Sequence, residues 1–525
     1  MNSSSPDSQK QFDQLQKKLV PLWKSIKHFN QDPQTIVVVP SMSIDAISSG
    51  AVMQAYEERF LFLLLLLRQP RARLVYVTSQ TILPSIIEYY LDLLPGVISS
   101  HARRRLFLPS PMDGSVTPLS DKLLARPRLI ERIRSLIMDP NRAHLVPFNT
   151  TNREKELALR LGIPMYGADP KFFPLGTKSG CRKIFMEENV PHPLGHEDIG
   201  GEEDLLNAIT QMQARKSSIK QVMVKLNEGV SGEGNAIVDL RGLPVAGYDD
   251  PGSQSRPATR RGRRPRLQQQ AMLKERLRAM QFELEAVTYE SYMKKLQERG
   301  AVVEERIMGE EFRSPSVQLR ITPLGVVELL STHDQLLGGP SGQSYLGCVF
   351  PADTGYAALI TREAAKVGRR LAKEGVIGRF ALDFVVVRSN GKWEPYAIEI
   401  NLRKGGTTHP FLTLQFLTDG TYDPETSIFT APNGRHKFFV ASDHVESPQY
   451  RTLTPDDLFD IVVRHNLHFG QTRQTGVVFH MMSALGELGR MGLTAVGNSH
   501  EEAKATYDRA IAVLNEETAT GEAIR

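Results

Sequence analysis

Between Thr35 and Ser79 the chain reads strand, helix, strand. "TIVVVPSMSID" (35–45) is an apolar strand running into a turn, "SGAVMQAYEERFLFLLLLLRQ" (49–69) is a helix, and "RLVYVTS" (73–79) is a second apolar strand. Strands joined by a helical crossover pair in parallel, and strands covered on both faces lose the polar alternation of a half-exposed sheet. A second cycle, from "SIIEYYLDLL" (85–94) to "RLFLPS" (105–110), continues the pattern. A parallel α/β domain is therefore expected over 35–144, behind a polar segment at 1–34. The run "FLFLLLLL" (60–67) is far shorter than the roughly 20 apolar residues needed to cross a bilayer, so it reads as a buried helix.

The chain has 525 residues, enough for three or four domains at about 100–200 residues each. Its net charge of +5 is a local effect. Nine Lys and Arg and one acid, Glu275, lie between Arg256 and Arg278, which leaves −3 for everything else. No surface-wide basic field for nucleic acid follows, and the basic stretch lacks interleaved aromatic residues for base stacking. Cys181 and Cys348 form neither a disulfide framework nor a metal cluster. The polar start lacks a signal-peptide core, so a cytoplasmic protein without a membrane partner is expected.

Further along, "HLVPFN" (144–149) is a strand and "TNREKELALRLG" a helix with Thr150 or Thr151 as its cap. "TKSGCRKIFMEENVPHP" is a helix ended by Pro191, and "QVMVKLNEGVSGEGNAIVDL" (221–240) is strand, Gly-rich loop, strand. Residues 245–268, rich in Pro, Gly, Ser and Arg, read as a mobile insertion. A helix over about 271–299 leads into the strand "AVVEERI", and "TREAAKVGRRLAKEG" (361–375) is a helix opened by Thr361. The tail, 425–525, reads as a small α/β module with strands at 476–480 and 492–497 and a helix at 499–515.

Chemistry concentrates in "RFALDFVVVRSNGKWEPYAIEINLRKGG" (379–406). Glu399, Asn401 and Arg403 alternate along one strand, so they share a face about 7 Å apart. A hard divalent cation between Glu399 and Asn401 takes one oxygen from each. The preceding strand carries a lone acid, Asp383, which is costly to bury unless something positive meets it. A two-residue Asn390-Gly391 turn would put Asp383 on the face away from Glu399. Joining the three on one face requires a three-residue loop, Ser389-Asn390-Gly391 with Asp383 opposite Ala397, or a bulge helped by Pro395.

Two further features point to a nucleotide. "VKLNEGVSGEGNA" sets Lys225 at the end of an apolar strand before Gly229, Gly232 and Gly234, where backbone N–H groups approach phosphate oxygens. It is neither a Walker loop nor a dinucleotide fingerprint. "VVEERIMGEEF" (302–312) is a strand ending in acids and Gly309, able to present backbone groups to an adenine edge and a carboxylate to ribose.

In this order the motifs resemble the ATP-grasp superfamily over 145–424, with the insertion 245–270 inside it. "VVVPSMSID", "STHDQLLGGPSGQSYLGCVFPA" and "GVVFHMMSALGELGRMGLTAVG" resemble the carboxylate–amine ligases that carry a pre-ATP-grasp N-terminal domain, such as the pheganomycin-type peptide ligases. The resemblance implies an α/β protein with a parallel pre-ATP-grasp domain, an ATP-grasp core of two α+β subdomains and a C-terminal module. It implies ATP and Mg²⁺ as cofactors, with Asp383, Glu399 and Asn401 holding the metal. Lys225 and Gly232 would meet the phosphates, and Lys178, with Lys183 as a competitor, is the helix lysine. Glu305 and Ile307 would meet adenine through backbone atoms, Glu311 the ribose, and Arg403 the reacting carboxylate as the catalytic residue. Arg379 is a nearby cation without an assigned role, and His333 and His409 are candidate substrate contacts.

The activity implied is C–N bond formation. A substrate carboxylate attacks the γ-phosphoryl group, and an amine attacks the resulting acyl-phosphate. The partners would be small molecules, an amino acid or a peptide on each side; a homo-oligomer stays open and nucleic acid is not expected. The alternatives are a phosphotransferase on the same fold and a non-catalytic nucleotide- or RNA-binding protein.

Overall fold

The expected strand–helix–strand units form a four-stranded parallel sheet in the order Leu106–Phe107, Ala72–Tyr76, Gln34–Val39, Ala143–Pro147. The structure, a computed structural model, describes residues 6–27, 33–43, 49–229, 234–244, 260–283, 286–339, 342 and 344–520. Gln34–Val39 is buried along its whole length because helices cover both of its faces. The helix Gly50–Glu58 is capped by Ser49, whose hydroxyl accepts from the Val52 N–H, and continues as the 3-10 helix Arg59–Arg68. In that apolar stretch only Leu66 and Arg68 escape full burial. No described helix is long and apolar enough to cross a membrane.

The middle of the chain forms a five-stranded antiparallel sheet ordered Gly195–Ile199, Ala301–Glu305, Gln221–Leu226, Asn235–Asp239, Gln281–Phe282. Two expectations here need correction. The helix expected over 271–299 is two helices, Arg260–Arg278 and Tyr289–Arg299, separated by the short strand Gln281–Phe282. The first runs back into the stretch read as a mobile insertion, of which 245–259 lie outside the described residues. Leu273 and Leu277, one turn apart, are fully buried, and Gln269 Nε2 donates to Gln213 Oε1 of the helix Glu202–Arg215 at 3.0 Å.

A nine-stranded sheet completes the fold, with Gly378–Ser389 flanked by Pro315–Ile321 and Glu311–Arg313 on one edge and Lys392–Asn401 on the other. Beyond Pro315–Ile321 it continues through Val327–Gly338, Ser344–Phe350, Phe438–Glu446 and Arg490–Gly497 to Gly476–His480. The tail strands Phe438–Glu446, Arg490–Gly497 and Gly476–His480 thus extend the sheet that carries Asp383, while Ile428–Thr430 pairs with Thr421–Asp423 in a separate two-stranded sheet. The helix Thr354–Glu374 packs on this sheet and is capped by Asp353, so Thr361 lies inside it rather than opening it.

Candidate active site

The hairpin 378–401 solves the problem of face by a bulge and not by its turn. Ser389 pairs with Lys392 across the two-residue turn Asn390-Gly391, whose φ angles are 50° and 75°, as a type I′ turn requires. The three-residue loop expected from the sequence is not formed. Phe384 pairs with Ala397, the register then skips Ile398, and Asp383 pairs directly with Glu399, not with Ala397. One extra residue on the second strand returns Asp383 to the face of Glu399 and Asn401. Asn401 Nδ2 donates to Asp383 Oδ2 at 2.9 Å, and Gln335 Nε2 donates to Asp383 Oδ1 at 3.2 Å. Burial pushes the Asp383 carboxyl up to about 6, with the facing Glu399 adding to it, while hydrogen bonds from Ser316 and Asn401 and the charge of Arg403 pull the other way. Two carboxylates and an amide oxygen, gathered on one face, are a donor set for a hard divalent cation.

Lys178 opens the helix Lys178–Glu187, behind Thr177, whose hydroxyl accepts from the Gly180 N–H. Its Nζ reaches Glu399 Oε1 at 3.3 Å. Lys183, the competing lysine, turns away to Asp198 at 2.6 Å and is half exposed. The helix is stitched to the strand Lys392–Asn401 one turn later, where the Ile400 N–H donates to Cys181 Sγ at 3.2 Å. Its first turn also holds the edge of the Gly-rich loop, since the Ser179 N–H and hydroxyl both donate to Asn227 Oδ1. One cleft is thus lined by Thr150, Asn227, Gly229, Glu399, Asn401 and Arg403. Arg403 makes no ion pair among the described residues.

Lys225 lies on Gln221–Leu226, the strand that runs into Asn227 and Gly229 of the cleft lining, with its Nζ 2.7 Å from Glu304 Oε2. Glu304 also receives Arg182 Nη1 at 2.8 Å on its other oxygen, and Arg182 Nε lies 3.3 Å from Glu197. Burial alone would raise the Glu304 carboxyl, but Lys225 and Arg182 together hold it below its ordinary value. Sequence reading missed Glu304 and Arg182. The available signal was strand period: Met223 pairs with Glu304, so Glu304 and Lys225 share a face, whereas the neighbouring Glu305 turns outward to Lys216.

The remaining expected nucleotide contacts are less concentrated. Glu305 uses its backbone N–H on the Leu194 carbonyl at 2.7 Å. Ile307 lies in the irregular segment after Ala301–Glu305, and Glu311 faces Arg388 at 3.4 Å on the outer rim. Gly232 lies outside the described residues. His333 and His409 are both buried. His333 sits among Phe350, Phe411 and Phe439 with its Nε2 on Ser331, away from the cleft lining.

Residues 173–425 match the family described as IQCH-like, ATP-grasp, and residues 457–510 match the PGM1 C-terminal domain. L-propargylglycine–L-glutamate ligase of Streptantibioticus cattleyicolor is 28% identical over 466 residues, covering 87% of this chain and 88% of that protein. IQ motif-containing protein H of Danio rerio is 23% identical over 530 residues, covering 94% of this chain but 49% of that protein. Biotin carboxylase from Campylobacter jejuni, at 13% identity, superposes with a TM-score of 0.53 and 91% coverage of both chains, a likeness of fold.

Proposed function

We propose that this chain, similar over residues 173–425 to an ATP-grasp family and over most of its length to a peptide-type ligase, is an ATP-dependent carboxylate–amine ligase working through an acyl-phosphate. The observation that carries this reading is the direct pairing of Asp383 with Glu399, with Asn401 on the same face and Lys178 on Glu399. Asp383, Glu399 and Asn401 would hold Mg²⁺, which when bound would neutralise phosphate charge. Lys178, paired with Glu399, and Lys225, on the strand before the Gly-rich loop, supply positive charge for the phosphates. Arg403, free of any ion pair among the described residues, is suited to the charge that develops on the acyl oxygen when the amine attacks. Glu304 and Arg182 act on Lys225, fixing its ammonium in place.

The substrates are an amino acid or short peptide as the acid and another as the amine. Support comes from the relative that is a ligase of L-propargylglycine and L-glutamate. The expected contacts of Glu305 and Ile307 with adenine, and of Glu311 with ribose, belong to the same proposal. An ADP-release screen of the full chain with ATP, Mg²⁺ and pairs of amino acids, with products weighed by mass spectrometry, tests it. A product equal to the two substrates less one water supports the ligase. A product one phosphoryl group heavier than a single substrate assigns a phosphotransferase instead.

A further inference from the structure

A second cluster, which the ligase reading does not use, begins on the helix that follows Arg403. His409 is the second residue of the helix Thr408–Thr418, Asp443 lies within Phe438–Glu446, and His480 ends Gly476–His480. Their side chains are only 3–4% exposed. Three atoms converge there: His409 Nε2 and His480 Nε2 are 3.0 Å apart, His480 Nε2 and Asp443 Oδ1 2.8 Å, and His409 Nε2 and Asp443 Oδ1 3.3 Å.

Hydrogen bonding accounts for one of these separations well. If both imidazoles donate to the carboxylate, one bond is good and one long, and the close approach of the two nitrogens gains nothing. A single ion accounts for all three. Ligand atoms about 2.0–2.2 Å from one metal lie roughly 3 Å apart, somewhat more at tetrahedral than at octahedral angles. The surroundings fit such a centre. Arg59 Nη1 holds the other carboxylate oxygen, Oδ2, at 2.6 Å, which fixes the carboxylate and leaves Oδ1 to the cluster. Gly492 pairs with His480 across the strands, and a Cβ there would fall 2.0 Å from His480 Nε2. Only a glycine lets the imidazole occupy that position.

We propose that His409, Asp443 and His480 form a structural site for a divalent transition-metal ion of the zinc class, distinct from the oxygen-donor site of the hairpin. Two imidazoles and one carboxylate suit a borderline cation and not magnesium, so the two sites select different metals. The ion would tie the helix that follows the Arg403 turn to two strands of the tail, while Arg59 brings in the N-terminal domain. The proposal stands independently of the reaction in the cleft.

Metal analysis of the full chain, purified without added metal from zinc-containing medium, tests it. The expected result is about one equivalent of zinc per chain, falling below roughly a tenth in His409→Gln and His480→Gln. Cobalt(II) taken up in place of zinc should show d–d absorption bands that the variants lack. The wild-type measurement decides the matter if the variants do not fold. A wild-type chain with less than roughly a tenth of an equivalent, and none gained on refolding with equimolar zinc, overturns the proposal and leaves a hydrogen-bonded cluster. So do folded variants that keep their zinc.

Discussion

Asp383 pairs with Glu399 across a hairpin whose two-residue turn, taken alone, would set them on opposite faces. The bulge at Ile398 reverses the parity, so the acid in an otherwise apolar strand joins the Glu-x-Asn-x-Arg face. Asp383→Asn and Glu399→Gln should each lower ATP turnover by about a thousandfold, roughly 4 kcal/mol of transition-state stabilisation, with the fold intact. Steady-state ADP release and thermal melting measure the two together. Wild-type turnover in either variant would contradict the assignment.

Glu304 is the counter-ion of two buried cations, so its loss should cost more than the loss of either cation. Glu304→Gln leaves buried Lys225 without its counter-ion and Arg182 with Glu197 alone, and should destabilise the protein by about 3–5 kcal/mol in urea unfolding. Lys225→Ala leaves Glu304 paired with Arg182, so it should raise the KM for ATP with a smaller loss of stability. Equal stability of Glu304→Gln and wild type would show that the pair of cations does not depend on it.

Lys404 follows Arg403 and is buried, donating to the Pro147 carbonyl. Burial, with Arg379 adding to it, lowers its pKa to about 7. The unfolded chain, with a lysine of ordinary pKa near 10.4, therefore binds more protons than the native one between pH 7 and 10, and this group makes stability rise with pH across that window. Lys404→Met should remove the rise. Urea midpoints of the two proteins at pH 7 and pH 9 measure it: the variant gains on wild type at pH 7 and the difference shrinks at pH 9. An unchanging difference would contradict the buried, readily deprotonated lysine.

Gly378, which opens the Asp383 strand, has φ 104°, and a Cβ there would lie 2.9 Å from the Gly167 backbone. Gly378→Ala should cost about 2 kcal/mol or more, because neither backbone can yield cheaply. Urea unfolding checks this, and a neutral substitution would mean that the approach to Gly167 is not fixed.

Local pattern carried the readable part of this protein. Apolar runs and a helix between them specify the parallel sheet around Gln34–Val39, and alternation alone sets Glu399 and Asn401 on one face. Parity arithmetic required an irregularity in the hairpin, although not its position: Asn390-Gly391 satisfies the preferred two-residue turn, and the irregularity moves to Ile398. Partners distant in sequence left no such trace. Arg182, Lys225 and Glu304 come from three separate elements. Residues 260–268 read by composition as part of a mobile insertion, yet they belong to the helix Arg260–Arg278, whose Leu273 and Leu277 find a core that only the tertiary fold provides. Extension of the large sheet by Phe438–Glu446 is equally non-local, resting on its pairing with Ser344–Phe350.

Hydroxylamine trapping tests the central claim most directly. Full-length protein is incubated with ATP, Mg²⁺, a candidate acid and hydroxylamine in place of the amine, beside Asp383→Asn. The account predicts an ATP-dependent hydroxamate of the acid from the wild type and none from the variant. A stable phosphate ester with no hydroxamate, or equal hydroxamate from Asp383→Asn, would contradict it.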